Sequence, residues 1–286
     1  MTPREIWHRV YADFFMPSRL GELRGLIESA LAADYEVVSI EAFWALIREG
    51  TVDPSRRYLI LRHDIDTDPA TAGAIWSLER GIGVQGSYFF RLHTLDLRLM
   101  ADMAGAGAHV SYHFEDLATV AKRLRLHTAD EAIRHMPEAQ DSFRHHLQSL
   151  RSRTGLPMRV VASHGDFVNR KLGISNWLLL ADPRFRAETD IDLEAYDDAF
   201  MRHVSSRHAD SMHPQYWVPS DPRGAIARGE PVVYLLIHPR SWQVSRVVNA
   251  RENAIRLAES LRYAFPAWHR YGAGDSSRGY HTNRLS

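Results

Sequence analysis

The sequence predicts an α/β fold closed as a parallel barrel, and three observations carry that expectation. From Tyr58 to His238, short apolar runs alternate with stretches whose apolar residues recur at helical spacing. The first of these runs, Tyr58 to Leu61, is apolar at every position, as suits a strand covered on both faces. The one G-x-G-x-x-G match, Gly81 to Gly86, runs into a predicted strand instead of opening a helix after one, and no phosphate loop occurs, which argues for a barrel over a dinucleotide-binding sheet.

Taken in order, residues 1–57 read as an N-terminal helical extension packed on the barrel. Leu20 to Ala33 and Ile40 to Arg48 are its amphipathic helices, and Glu49 to Pro54 is a turn. Residues 58–271 form the barrel. Tyr58 to Leu61 starts its first strand, and Pro69 opens a helix after Asp68. Gly86 to Leu92 is a strand followed by a helix near 95–104. Ala108 to Phe114 is a strand followed by helical stretches over 115–125 and 129–153. Met158 to His164 is a strand, with a helical stretch around 173–181. Ala187 to Asp190 and Asp210 to His213 are weaker strand candidates. Pro222 to Arg228 is a short helix, Pro231 to His238 the most strongly apolar strand, and Arg251 to Phe265 a closing helix. Gly272 to Ser286 is small, polar and non-periodic, which predicts a flexible tail.

Composition narrows the function. Thirty-five basic residues balance 35 acidic ones, without a long block of either sign, so nucleic acid or an anionic membrane is not expected as a partner. Lys122 and Lys171 are the only lysines, which reads first as base-composition bias favouring arginine. There is no cysteine, so a thiolate nucleophile, a disulfide and a thiolate metal site are all excluded. Met1 to Phe15 is charged and aromatic, unlike a signal peptide, and no apolar run reaches ~20 residues. A cytoplasmic protein without membrane insertion, acting on a small-molecule or carbohydrate substrate, is the expectation. Oligomeric state leaves no mark on the sequence.

Four predicted strands finish in similar chemistry: Arg62-His63-Asp64-Ile65-Asp66, His113-Phe114-Glu115, Ser163-His164-Gly165-Asp166 and His238-Pro239-Arg240. In a parallel barrel those ends meet on one face, the face where such folds carry their chemistry. Nitrogen and carboxylate donors without thiolate suit zinc or a similar divalent ion, with cobalt or manganese as alternatives. An ion with an open position can activate water or polarise a carbonyl.

Order and content over roughly residues 55–245 resemble the polysaccharide deacetylase superfamily, of the carbohydrate esterase family 4 type. Arg62-His63-Asp64-Ile65-Asp66 stands where that family has Thr-Phe-Asp-Asp. Gly86 to Phe90 resembles its Ala-Thr-Phe-Phe strand, and Gly107 to His113 its Gly-His-Glu-Ile-Gly-Asn-His stretch. The set is most similar to a divergent branch with Arg-His-Asp-x-Asp, His-x-Glu and a late His-Pro. The resemblance implies a distorted (β/α) barrel of about seven strands. It also implies Asp64 as general base, Asp66 and His113 as metal ligands, and His238 as general acid.

One departure matters. The family's metal site uses His-x-x-x-His starting at the position of His113, and here Leu117 and Ala118 stand where the second histidine belongs. His109 and His113 have that spacing but lie on one strand, where positions i and i+4 are ~13 Å apart. His109 is therefore read as structural, and His164, with Glu115 as substitute, as the third ligand. His203, His208 and His213 read as surface residues that could wall the substrate pocket, and His145 and His146 as solvated. Trp217 and Trp242 offer faces for a sugar, against the alternative of packing. Arg62 and Arg240 are candidates to hold an anionic substrate group, against the alternative of pairing with Asp64 and Asp166.

The expected activity is metal-dependent hydrolysis of an amide: removal of an acyl group, acetyl first, from an N-acylated amino sugar or related small substrate. A catalytically silent carbohydrate-binding relative is the alternative, favoured by the broken histidine motif.

Overall fold

A computed structural model describes residues 2–264. The predicted tail, Gly272 to Ser286, lies outside the described residues. Two N-terminal helices, α1 (Pro3–Phe14) and α2 (Leu20–Ala32), lead into strand β1 (Tyr35–Ser39) and helix α3 (Ile40–Glu49). The barrel segment follows as β2 (Arg57–Ile65), α4 (Pro69–Ile82), β3 (Ser87–Phe90), α5 (Leu97–Gly105) and β4 (His109–Phe114). Helices α6 (Asp116–Leu124), α7 (Ala129–Arg134) and α8 (Met136–Thr154) precede β5 (Val160–Ser163). Then come α9 (Phe167–Leu172), α10 (Pro183–Thr189), β6 (Leu193–Glu194), α11 (Asp198–Met201), β7 (Ser206–Asp210) and β8 (Trp217–Val218). Helix α12 (Pro222–Ala227), β9 (Val232–Ile237) and α13 (Arg246–Ala264) complete the described chain.

The strands form one curled, mostly parallel sheet in the order β6-β5-β4-β3-β2-β9-β7-β8. This is the distorted (β/α) barrel the sequence predicts. The antiparallel pair is β7 with β8, at one end of that order. Strand β2 is long enough to take two neighbours along one edge. Its first half pairs with β1 (Val37 against Leu59) and its second half with β3 (Asp64 against Phe89). The N-terminal region therefore adds a strand to the main sheet as well as helices, which its amphipathic pattern does not reveal. Gly86, just before β3, permits the close approach there: a Cβ on it would lie 3.0 Å from both Leu61 Cβ and His63 Nε2.

Local expectations are corrected at three places. In place of a strand at Asp210 to His213, the strand β7 comes earlier and ends at Asp210. Ala187 to Asp190 closes helix α10 instead of forming a strand. Asp182 caps that helix by accepting the Arg184 N–H, and Pro183 sits at its first position, where a missing N–H costs nothing. The strand comes three residues later as β6, only two residues long. The helical stretch expected at 173–181 is a single 3-10 turn at Asn176–Leu180.

Alternation along each strand separates two cores. Tyr58, Ile60, Phe89, Ala162, Tyr234 and Leu236 meet inside the barrel. Leu59, Leu61, Val233, Leu235 and Ile237 point the other way, to a cluster shared with α2, α4 and α12. Tyr88, Phe90, Val110, Tyr112 and Phe114 do the same toward α5 and α8. All these side chains are less than a tenth exposed.

Candidate active site

The inward files of the strands end in polar groups. On β2, Arg62, Asp64 and then Asp66 continue the inward parity of Tyr58 and Ile60, while His63 and Ile65 face the helices. On β4 the inward file is His109, Ser111, His113 and then Glu115. On β5 it runs through Val160 and Ala162 to His164, and on β9 through Tyr234 and Leu236 to His238. Register fixes the match, with His113 opposite Ala162 and Arg62 opposite Leu236. The strand ends therefore bring Asp64, Asp66, His113, Glu115, His164 and His238 to one end of the barrel.

Asp66 lies at the centre. Its Oδ1 is buried and accepts no well-directed hydrogen bond, yet His113 Nε2 stands 3.2 Å away and His164 Nε2 3.4 Å away. His113 is oriented by its other nitrogen, 2.9 Å from the Ala162 carbonyl oxygen. The His164 Nδ1 lies 3.2 Å from Glu115 Oε2 but makes no well-directed hydrogen bond to it. Glu115 is itself gripped by Arg91, at 2.5 Å and 3.2 Å. Burial disfavours the Asp66 carboxylate, but the His164 charge and the approach of both imidazoles hold its pKa well below the usual range. Burial likewise works against the His164 imidazolium, and Asp66 with Glu115 overrides it, pushing His164 up to about 9. Glu115 is held low despite burial by its contacts with His164 and Arg91.

Beside this group, Asp64 Oδ2 stands 3.3 Å from His113 Nε2. Arg62 donates to both Asp64 oxygens at 2.7 Å, a bidentate pair with both partners buried. Burial raises the Asp64 pKa, and the Arg62 and His113 charges more than offset that, leaving it lowered. His238 is held twice by Asp210: Oδ1 lies 2.6 Å from its Nδ1, and Oδ2 accepts its backbone N–H at 2.7 Å. Burial opposes the His238 charge, but Asp210 and then the nearby Asp66 and Asp64 raise it to about 10.

Three cavities converge here. The largest, about 830 Å³, runs from Asp66 and His164 along α9 and α13. A second of about 250 Å³ joins Asp66 and Thr67 to His238 and Asp210. A third of about 350 Å³ joins His164 to Asn169, Trp177, Tyr196 and Arg207.

Several residues fall elsewhere than expected. Arg62 is fully buried and spent on Asp64 and the Tyr234 hydroxyl, so it supports the site instead of meeting a ligand. Arg240 is buried and pairs with Asp13 of α1, not with Asp166. Trp217 and Trp242 pack on each other with ring centroids 5.7 Å apart, both buried, and the Trp242 indole N–H donates to Asp210. Neither presents a face to a sugar. His109 is buried, with Nδ1 2.8 Å from Ser87 Oγ, and burial pushes its pKa down to about 3. His208 is buried and its Nδ1 contacts the Ser220 carbonyl oxygen at 2.7 Å, so it is no surface residue. His213 rests against Tyr11 and Tyr216, and His203 lies in the turn after α11. His146 is not simply solvated: its Nδ1 lies 2.6 Å from the buried Asp116.

Sequence reasoning misses Asp210, Arg91 and Trp177. Arg91 was legible in principle, because it ends the inward file of β3. Asp210 ends β7, whose Ser-Arg-His-Ala-Asp lacks an apolar run. Trp177 is 48% exposed and lies on a 3-10 turn with no motif around it.

No protein-family model and no curated protein matches the chain. Two solved structures are similar to it. One is the deacetylase PplD of Streptococcus pyogenes in complex with acetate, at 11% identity and TM-score 0.38, covering 85% of this chain and 93% of that one. The other is a mutant of the peptidoglycan deacetylase PdaC of Bacillus subtilis, at 14% identity and TM-score 0.32, covering 73% of this chain and 87% of that one. At that distance neither likeness bears on activity. Among the described residues, no helix is long and apolar enough to cross a membrane.

Two overlapping donor sets contain His164. Among the described residues only the first, Glu115, His164 and Asp166, brings all three donor atoms within 4.8 Å of one another. The second, Asp66, His113 and His164, pairs each imidazole with Asp66 but not the two imidazoles with each other. The carboxylates of the first set are already committed, Glu115 to Arg91 and Asp166 to Lys122 at 2.8 Å and to the Val168 N–H at the start of α9. Asp66, by contrast, keeps a buried oxygen without a hydrogen bond, facing two imidazole nitrogens. Ligand atoms ~2.0–2.1 Å from a tetrahedral ion lie ~3.3 Å apart, a spacing that each imidazole keeps from Asp66 Oδ1 but that the two imidazoles do not keep from each other. The chemistry of Asp66, His113 and His164 fits a divalent ion better than the neutralised set does.

Proposed function

We propose that this chain is a metal-dependent hydrolase that removes an acyl group, acetyl first, from an N-acylated amino sugar or a related small substrate. The observation that carries this reading is the unsatisfied Asp66 Oδ1 between His113 and His164, with the buried Asp64 carboxylate and the half-buried His238 imidazole at the same end of the barrel. Asp66, His113 and His164 would hold one divalent ion, zinc first with cobalt or manganese as alternatives. When bound, it supplies Lewis-acid polarisation of the amide carbonyl and a more acidic water.

The chain's own groups divide the remaining work. Asp64 takes the proton of the attacking water. Arg62 keeps Asp64 ionised and fixed in orientation, and each carboxylate oxygen retains a lone pair for that proton. His238, held protonated by Asp210, gives its proton to the leaving amine as the carbon–nitrogen bond breaks. Glu115 and Arg91 turn His164 toward Asp66, the kind of outer contact that orients a metal-binding imidazole. In this reading acid and base act at the same end of the barrel as Asp66, with His238 lining a cavity it shares with Asp66.

The test is release of acetate from N-acetylated amino sugars by protein loaded with zinc, cobalt or manganese. Turnover should fall ~10²-fold or more in Asp64→Asn while metal is retained. An Asp64→Asn protein as active as wild type removes Asp64 from the mechanism. A metal-loaded protein inert across a broad N-acyl panel replaces the hydrolase reading with that of a silent carbohydrate-binding relative.

A further inference from the structure

We propose that the substrate carries a phosphate or diphosphate group, seated in the large cavity between α9 and α13 against Arg170, Lys171, Arg251 and Arg256. The proposal rests on the hydrolase reading for what happens to the substrate, but not for the anion site itself.

The cavity wall is not uniformly basic, so its pairs must be removed first. Arg91 is neutralised by Glu115, and Lys122 bridges Asp166 and Glu259 at 2.8 Å and 3.2 Å. Asp66 belongs to the candidate metal site. What remains on the wall is Arg170, Lys171, Arg251 and Arg256, none of which has a carboxylate within 4.0 Å among the described residues. Glu252 is the remaining wall carboxylate, and its neighbour is His93 at 3.8 Å. Over the whole wall six arginines and lysines face five carboxylates, an excess of one, and those four cations are gathered on α9 and α13.

Exposed arginines are ordinary on a protein surface, so a second feature is needed. The chain uses arginine for nearly all its cations, yet both of its lysines line this one cavity. Lysine differs from arginine as a compact point charge with freely rotating donors, suited to a phosphate oxygen where no flat two-pronged partner is required. Lys171 is held in place without being neutralised: its Nζ lies 5.4 Å from the Phe167 ring centroid and 5.1 Å from that of Tyr263. Position agrees as well. Arg256 lines both this cavity and the smaller one containing His238, and Asp66 is common to the two. An anion held there lies beside the reacting centre, at the distance of a substituent on the same small molecule. The cavity, at about 830 Å³, has room for a sugar and its phosphate.

The experiment is calorimetric titration of pyrophosphate into metal-stripped protein, which needs no turnover and no ion at Asp66. Wild type should bind, with affinity falling as salt rises. Lys171→Gln and Arg256→Gln should each weaken binding about tenfold, with circular dichroism showing both variants folded. Equal affinity in wild type and both variants, or no binding by wild type at low salt, overturns the proposal. Three further probes are then compared as ligands of the metal-stripped protein: an N-acetylhexosamine 1-phosphate, a nucleoside-diphosphate N-acetylhexosamine, and vesicles bearing a polyprenyl phosphate. The probe whose affinity drops most in the two variants identifies the source of the anion. Neutral N-acetylhexosamine binding as tightly as all three contradicts the proposal. Hydrolysis of neutral sugars alone, with pyrophosphate bound at the lysine, would leave the hydrolase reading standing while removing this one.

Discussion

Asp210 holds His238 at two points, one carboxylate oxygen 2.6 Å from the ring Nδ1 and the other accepting the His238 backbone N–H at 2.7 Å. The second contact fixes the backbone at the strand end, and the first leaves Nε2 as the ring nitrogen not held by Asp210. The Trp242 indole N–H holds Asp210 in turn, at 2.8 Å. This relay fixes in place the strand-end histidine proposed as the general acid.

The relay predicts a shifted pH profile. His238 is raised from 6.5 to about 10, because Asp210 outweighs burial. A folded-state pKa above the unfolded one means that the interaction stabilises fully below about pH 6.5 and is lost as pH rises through about 10. The general acid should therefore stay loaded well past neutrality, and the alkaline limb of the rate profile should lie near pH 10 instead of near 7. Asp210→Asn should move that limb down toward 6.5. A pH–rate profile on an N-acetylated substrate checks it, and an unmoved limb would detach Asp210 from His238.

Arg62 supplies a stability prediction. It is fully buried beneath Asp64, so Arg62→Ala leaves a buried carboxylate without its partner. Removing one member of such a pair costs about 3–5 kcal/mol. Urea unfolding should show that loss in Arg62→Ala and recover much of it in the double variant Arg62→Ala, Asp64→Ala. Equal stability of the two proteins would mean that the pair is not coupled as its geometry indicates.

The two metal donor sets predict opposite outcomes in metal analysis. His113→Ala and Asp66→Asn should strip the ion, Asp166→Asn should retain it, and Glu115→Gln should weaken affinity about 10–100-fold as an outer-contact change. Retention by His113→Ala together with loss in Asp166→Asn would transfer the site to Glu115, His164 and Asp166.

Much of this arrangement is legible in the sequence because strands have period two. Arg62, Asp64 and Asp66 share parity with Tyr58 and Ile60, and His113 and Glu115 share parity with one another. Once the strands are placed, their facing follows. The second imidazole of the proposed set comes from the neighbouring strand end, where His164 stands 5.2 Å from His113 between ring centroids. What escapes the sequence has a physical reason in each case. Strand β1 pairs along half of β2, and β6 is two residues long, so neither needs a long apolar run. Asp210 acts through a side-chain contact to a strand distant in sequence. Trp217 and Trp242 look like sugar platforms by composition alone, but packing takes both, and only burial reveals that.

Trp177 is an exposed aromatic placed where the role first considered for that pair could be filled. It is 48% exposed and lines the cavity that ends at His164, beside Asn169, whose Nδ2 is buried without an accepting partner of its own. Trp177→Ala should raise KM for an amino-sugar substrate roughly tenfold with little change in unfolding midpoint, since stacking contributes about 0.5–1.5 kcal/mol. Trp217→Ala should do the reverse, lowering stability about 3–5 kcal/mol as a buried aromatic truncation. Steady-state kinetics and thermal unfolding of the two variants separate the roles, and an unchanged KM in Trp177→Ala excludes a substrate contact there.

Asp66, with His113 and His164, is proposed to hold a divalent ion at the end of the barrel. Crystals soaked in zinc and measured on both sides of the zinc absorption edge test it most directly. One anomalous peak within bonding distance of Asp66 Oδ1 and both imidazole Nε2 atoms, ~2.0–2.1 Å, is the predicted result. A peak bound instead by Glu115 and Asp166, or no peak at this end of the barrel, would contradict it.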